Sequence, residues 1–431
     1  MEKYLSVELL RPGVFVCRLD RPWLETPFLL QGFEVRDKRD IDDLKRYCKF
    51  VYIDPERGVD PPGSMHVAPE QAMLDAGVRQ VASTNVRPIL PYQSAAEEEL
   101  DAALEAHSTA FETVDKFLSD VRFGRSVDSR AVKAAVASMV ASILRNPDAL
   151  LFLTKLRNKD RYTTYHSIGV CILSLVFGRH LNMSESALAS LGLGALLHDI
   201  GKTRIPQQIL NKPERLTAAE FELMKRHVAE GVRILNTSQG IPPAAIEVVQ
   251  KHHERLNGSG YPGGLCAAAI GPNGLIAGIV DVYDAVTSDR VYGKGITSYE
   301  ALKHLYSWRG RFFDESLVLR FIQCIGVYPV GSLVELSTGE TALVTAVNPD
   351  HRLQPRVSVL LSPEGQPYKA PVVIDLITQG GSTMHDRVTI RRMLDPAACG
   401  LDPNEYLARY MANEAEVEKG TISRIPPEPP G

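Results

Sequence analysis

Over residues 1–58 the apolar positions fall into short runs of strand type, at 4–10, 14–19, 29–35 and 50–53, punctuated by Pro12-Gly13, Pro22 and Pro27. Between them IDDLKRY keeps apolar residues at 41, 44 and 47, the spacing of a short helix. These patterns predict a small α+β domain over 1–58. Residues 59–98 carry Pro61, Pro62, Pro69, Pro88 and Pro91 with little periodicity, and read as a linker with at most one short helix. AAEEELDAALEAH then opens a helix to about Phe123, and Asp128 caps another that ends near Asn146, so 99–146 are connecting helices.

From 147 to 326 the period is helical throughout. Ser184 caps a helix that ends at His198, and Thr217 with Glu220 forms a capping box. Pro242-Pro243 starts a helix carrying His252 and His253, and Pro272 starts one running through Asp281 to Arg290. Successive helices with short loops imply a bundle. From Tyr328 the period drops to two in LVELS, TALVTAV, VSVLL and VVIDL, which predicts a small β domain over 327–393. The tail, 394–431, ends RIPPEPPG and has the composition of a disordered segment. The expected fold class is mainly α: a helical bundle with a small N-terminal α+β domain and a small C-terminal β extension.

Composition narrows the function. The chain has 431 residues, 44% of them hydrophobic, and a formal net charge of −4, too mild for a partner of nucleic-acid polymers or of a membrane surface. No apolar run reaches the roughly 18–20 residues of a membrane span. MEKYLSVELLRPG has charges through its apolar part and does not read as a signal peptide. The six cysteines lack CxxC spacing, as expected of reduced thiols in a cytoplasmic protein.

The chemistry gathers around LLHDIGK, residues 196–202. There His198 and Asp199 end an apolar segment in which a carboxylate is costly unless a cation meets it. Of eleven histidines, His166, His198, His227, His252 and His253 fall in the bundle on or at the ends of predicted helices, and Asp281 lies in the apolar IAGIVDVYDAV. Imidazoles with carboxylates suit Fe, Mn, Zn or Ni better than Ca or Mg. Seven ligands are too many for one ion and fit two. In this reading Asp199 bridges, His198, His166 and Asp281 serve the first metal, and His227, His252 and His253 serve the second. Two such metals suit in-line phosphoryl displacement with a bridging hydroxide as nucleophile. Lys202 is placed to hold a phosphate oxygen, with Asp284 paired to it, and Arg290 and Lys294 add positive charge. Gly258, Gly260, Tyr261, Pro262, Gly263 and Gly264 make a loop whose backbone can approach a substrate or partner, with Tyr261 as an exposed aromatic contact. His66, His107, His180, His304, His351 and His385 have no such partners and are read as ordinary.

HDIGK, KRH, HHERLNGSGYP and DVYDAVTSDR, in this order, resemble the HD-GYP subgroup of HD metal-dependent phosphohydrolases over residues 150–326. The resemblance implies a cyclic-di-GMP phosphodiesterase making pGpG and, in some members, GMP, with two or three metals, commonly iron or manganese. It assigns His166, His198, Asp199, His227, His252, His253 and Asp281 as ligands and Lys202 and Arg290 as phosphate contacts. Asp284 would hold that lysine, and Gly260-Tyr261-Pro262 would be a loop implicated in contacts with GGDEF-type diguanylate cyclases. Tyr162 stands where members with a third metal carry a glutamate, which favours two metals. Gly293 stands where a second basic residue is usual, with Lys294 beside it, and Thr203-Arg204 replaces a more apolar pair. LLRPGVFVCRLDRPW onward resembles a domain of unknown function found before HD-GYP domains. The alternatives are a dinucleotide or cyclase receptor with little turnover, and a phosphohydrolase for another nucleotide.

Overall fold

The computed structural model describes residues 3–20, 26, 32–66, 78, 81, 92–154, 161–212, 214, 216–288, 295–348, 351, 353–378 and 388–394. The chain opens with an antiparallel sheet of β1 (Lys3–Ser6), β2 (Phe15–Leu19), β3 (Phe33–Glu34), β4 (Phe50–Ile53) and β5 (Met65–His66), in the order β3-β2-β4-β1-β5. The first apolar run is a strand only to Ser6, whose hydroxyl accepts from Glu8 N and turns Val7–Leu9 into a 3-10 helix. Helix α1 (Lys38–Tyr47) begins three residues earlier than the apolar spacing suggests, because Asp37 caps it by accepting from Arg39 N and Asp40 N. Leu5, Val14, Val16, Leu19, Leu44, Val51 and Ile53 form a core that belongs to this sheet and helix alone.

Helix α2 (Ala96–Arg122) is 27 residues long and is followed by α3 (Ser129–Arg145), capped by Asp128, and α4 (Pro147–Leu153), capped by Asn146. The bundle continues with α5 (Tyr162–His180), α6 (Glu185–Leu197), a 3-10 turn (Ile200–Arg204), α7 (Gln207–Leu210) and α8 (Ala218–Thr237). It closes with α9 (Pro243–Lys251), α10 (Gly271–Thr287), α11 (Ser298–Trp308) and α12 (Glu315–Ile325). Ser184 and the Thr217–Glu220 box cap α6 and α8 as expected. From His166 to Arg179 every residue of α5 is buried, and α10 is buried without a break from Ile276 to Val286, so both lie inside the bundle rather than on it.

The second sheet is antiparallel in the order β10-β6-β7-β8-β9, from β6 (Leu333–Leu336), β7 (Thr341–Ala346), β8 (Arg356–Leu361), β9 (Pro367–Asp375) and β10 (Ile390–Met393). Unlike the first sheet it has no separate core. Leu333, Val334, Leu343, Val344, Val357 and Leu376 belong to the same buried cluster as the bundle residues Val176, Phe177, Ile279 and Phe321. The buried carboxylate of Asp148, on α4, also accepts from Val347 N just past β7. The tail, 394–431, lies outside the described residues beyond Leu394. Among the described residues, no helix is long and apolar enough to cross a membrane.

Candidate metal centre

Six elements of the bundle converge on one buried point. His166 comes from the first turns of α5 and Asp281 from the middle of α10. His198 caps the C-terminus of α6, and Asp199 is the N-cap of the 3-10 turn. His227 lies in α8, His252 caps α9, and His253 follows it. All seven are at most 5% exposed. The helix expected to carry the His252-His253 pair ends two residues earlier, at Lys251: the chain turns at the pair, with Glu254 N donating to Lys251 O at 2.9 Å.

The seven residues fall into two groups that share Asp199. His166, His198 and Asp199 bring ligand atoms within 4.8 Å of one another, and so do Asp199, His227, His252 and His253. The two oxygens of Asp199 divide between them. Oδ2 lies 3.2 Å from His198 Nε2 and 3.7 Å from His166 Nε2, while Oδ1 lies 3.4 Å from His227 Nε2. Asp281 faces the first group, its Oδ1 being 3.2 Å from His166 Nε2 and 3.7 Å from His198 Nε2.

A metal fits this donor set on the structure's own terms. His198 Nε2, His227 Nε2, His252 Nε2, His253 Nδ1, Asp199 Oδ1 and Asp281 Oδ2 are buried without a hydrogen-bond partner among the described residues. So many orphaned acceptors in one place call for a cation. The other ring nitrogens are occupied. His198 Nδ1 donates to Ala195 O at 2.7 Å, His227 Nδ1 to Met224 O at 2.7 Å, and His252 Nδ1 to Val249 O at 3.0 Å. His166 Nδ1 donates to the Asp284 carboxylate at 2.7 Å. Such outer bonds fix the tautomer and turn the opposite nitrogen toward the metal.

The electrostatics agree with that assignment. Burial pushes His227 down to about 4 and His252 down to about 3, so both imidazoles are neutral near pH 7. Burial likewise holds His253 well below its ordinary value, with His252 adding to the effect. Burial opposes ionisation of Asp199, yet Lys202 and His198 beside it keep its carboxyl well below the usual range. His166 behaves oppositely: burial disfavours its charge, but Tyr162, Asp281 and Asp284 push it up to about 10. His166 Nε2 would have to give up a proton to ligate a cation.

Several expectations about neighbouring residues need correction. Lys202 pairs with Asp199 Oδ2, not with Asp284, because α6 stops at Leu197 and the 3-10 turn folds the lysine back over the carboxylate. Asp284 is instead the partner of His166. Tyr261 is not an exposed aromatic: it is 9% exposed, its ring stacks on His253 with centroids 4.5 Å apart, and Phe221 meets its edge. Pro262, Gly263 and Gly264 are the exposed part of that loop. A Cβ at Gly260 would lie 2.4 Å from His253 O and 2.5 Å from Arg255 N, so glycine alone lets the loop lie this close to the ligand. Tyr162 stacks on His166, centroids 5.6 Å apart and planes 11° apart. Arg290, Gly293 and Lys294 lie outside the described residues.

Two residues escaped the sequence reading. The buried carboxylate of Glu254 accepts from Gly263 N at 2.6 Å and from Leu265 N at 2.8 Å, tying the loop to the histidine pair. Arg255 is fully buried, donates to His252 O and Glu254 O, and lies under Phe313. The signal was two charged residues directly after the histidine pair, with nothing in the local pattern to hold them at the surface.

Residues 141–317 match the HD domain family, residues 2–132 a domain of unknown function (DUF3391), and residues 333–396 a KOW domain associated with HD domain. Over 390 residues the chain is 36% identical to a cyclic di-GMP phosphodiesterase of Pseudomonas aeruginosa, covering 90% of this chain and 91% of that protein. The chain belongs to the HD-GYP family. Its HD domain is a metal-dependent phosphohydrolase, and the histidine–aspartate cluster binds divalent metal. A cyclic di-GMP phosphodiesterase of Thermotoga maritima is 39% identical over 166 residues, 38% of this chain and 45% of that protein. A 3'3'-cGAMP-specific phosphodiesterase of Vibrio cholerae is 35% identical over 161 residues, 37% of this chain and 31% of that protein.

Proposed function

We propose that this protein is a two-metal phosphodiesterase that opens cyclic-di-GMP to pGpG and, in a second cut, to GMP. The observation that carries the reading is the division of Asp199, one oxygen toward His198 and His166 and the other toward His227, with the remaining acceptors orphaned around it. His166, His198 and Asp281 would hold the first ion and His227, His252 and His253 the second, with Asp199 between them. The donor chemistry suits Fe, Mn, Zn or Ni, and the resemblance to the HD-GYP subgroup narrows the choice to iron or manganese. Bound there, two divalent cations supply Lewis-acid stabilisation to a phosphodiester and lower the pKa of an attacking water.

The chain's own residues do the rest. Asp284 keeps His166 in one tautomer, and Lys202 sits on Asp199 at the edge of the cluster, where its ammonium can pass to a phosphate oxygen. Arg290 and Lys294 would supply further charge to the phosphates. Tyr261 packs the ring of His253 in place, while the exposed Pro262 edge of the loop, with Gly260 behind it, would meet substrate or a GGDEF-type cyclase. The expected setting is the cytoplasm.

The test is to purify the protein anaerobically, measure Fe and Mn per chain, and resolve the products of cyclic-di-GMP over time, with 3'3'-cGAMP in parallel. About two metals and the appearance of pGpG support the reading. Two metals with intact cyclic-di-GMP refute it, and turnover of 3'3'-cGAMP alone reassigns the substrate.

A further inference from the structure

Between the metal cluster and α2 lies a cluster of side chains to which the reaction described above gives no role. His166, a metal ligand, is preceded on α5 by Tyr165, and Arg161 is the N-cap of the same helix. Tyr165 packs against Phe111 of α2, ring centroids 5.1 Å apart and tilted by 52°. The Arg161 guanidinium sits 5.5 Å above the Phe111 ring. Tyr162, which stacks on His166, lies on the same first turn of α5. Helix α2 also packs on the 3-10 turn that carries Lys202. These aromatic and guanidinium planes therefore stand at the border of the metal cluster, on the side of Tyr162 and Lys202.

Arg161 is weakly held. Its only ion pair among the described residues is with Asp115 at 2.9 Å, and both side chains are 51% exposed. An exposed pair of this kind contributes little and gives way readily to a better partner. Phe111 and Tyr165 are each half-buried. A half-exposed aromatic pair under a loosely held guanidinium is what a nucleobase recognises: ring faces for stacking, and a planar fork for the O6 and N7 acceptors of guanine. Adenine presents a donor at the O6 position and would be repelled by the same fork.

We infer that Arg161, Phe111 and Tyr165 form a base platform beside the metals, which takes one guanine of the cyclic dinucleotide and sets the preference for guanine over adenine. The inference rests on the cyclic-di-GMP reading and deepens it. It also makes the substrate site a joint product of two regions, since α2 falls within the 2–132 match and α5 within the HD domain match. Arg161, Phe111 and Tyr165 touch no metal ligand's donor atom in this account, so they act on affinity and base choice and not on the bond-breaking step.

The experiment compares wild type with Arg161→Ala, Arg161→Lys and Phe111→Leu in the full-length metal-loaded protein. The readouts are metal content, kcat and KM for cyclic-di-GMP, and, for the arginine variants, turnover of bis(p-nitrophenyl) phosphate, which has no base. Arg161→Ala and Arg161→Lys should each raise KM for cyclic-di-GMP about tenfold, with kcat, metal content and bis(p-nitrophenyl) phosphate turnover unchanged, because lysine keeps the charge but not the fork. Phe111→Leu should raise KM by a similar factor with kcat unchanged. An unchanged KM in the arginine variants overturns the platform, as does a KM rescued fully by lysine or an equal loss on both substrates. Wild-type protein that cleaves bis(p-nitrophenyl) phosphate but not cyclic-di-GMP overturns the substrate reading instead.

Discussion

Replacing Gly201 by alanine tests how tightly the metal cluster depends on the packing behind it. Gly201 follows Asp199 by two residues and lies against α8. A Cβ there would stand 1.8 Å from His227 O and 2.5 Å from Gly231 N, both backbone atoms that no rotamer change can move. Carbon–oxygen contacts settle at about 3.3–3.6 Å, so the 3-10 turn and α8 must part by roughly 1.5 Å. The two sides of that gap carry Asp199 and His227, whose Oδ1 and Nε2 are 3.4 Å apart. Metal–ligand distances tolerate only about 0.2 Å. The expected outcome is a helical protein, destabilised by about 1–3 kcal/mol from overpacking, that has lost metal and at least about a hundredfold in kcat. Circular dichroism, metal analysis and cyclic-di-GMP turnover measured on one preparation separate these effects. A variant with full metal content and kcat within about threefold of wild type refutes the claim that this contact sets the Asp199–His227 spacing.

Lys202→Ala should keep metal content and lose turnover, since the lysine touches Asp199 from outside the histidine groups; metal analysis showing an empty site would contradict that placement. His107, on α2, is pushed down to about 4 by burial alone. The unfolded chain takes up this proton near pH 6.5 and the folded one refuses it until about 4, so the stability this group contributes is present above pH 6.5 and lost as pH falls toward 4. His107→Gln should flatten the pH dependence of the denaturation midpoint by about one proton in that window, and an unaltered slope would rule this out. A chain starting at residue 67, which keeps Val78 and the rest of the bundle's core, should still unfold cooperatively, whereas one ending at 326 should not, because only the second cut opens that core. Equal stability of the two fragments, by thermal melting, would contradict the division of cores.

Most of the metal cluster was legible in the sequence because ligands must come from particular residue types. His198-Asp199, His252-His253 and Asp281 are polar groups in apolar helical context, and the structure brings them together with His166 and His227. Pairings decided by a single turn were not legible. Whether Lys202 meets Asp199 or Asp284 depends on α6 stopping at Leu197, and the signal for that stop is the fit of Gly201 against α8, a tertiary contact. Tyr261 in a glycine-rich loop looks exposed by composition, yet it is buried because the His253 ring stacks on it and Phe221 packs at right angles to it. Strand periods placed the C-terminal sheet, but that it shares the bundle's core follows from Val347 and Leu343 meeting helices far earlier in the chain, which no local pattern encodes.

The Glu254 clamp joins two parts of the molecule that face opposite worlds. One end of this short segment, His252-His253, is sealed inside, while the other, Pro262 to Gly264, is open to solvent. Two charge-assisted hydrogen bonds and the ring of Tyr261 leave little slack between them. The exposed tip is thus tied to the metal cluster, so that a contact made at the tip from outside would bear on His253 through Glu254 and Tyr261. A buried ligand pair and an exposed tip are the two ends of one tied segment about a dozen residues long.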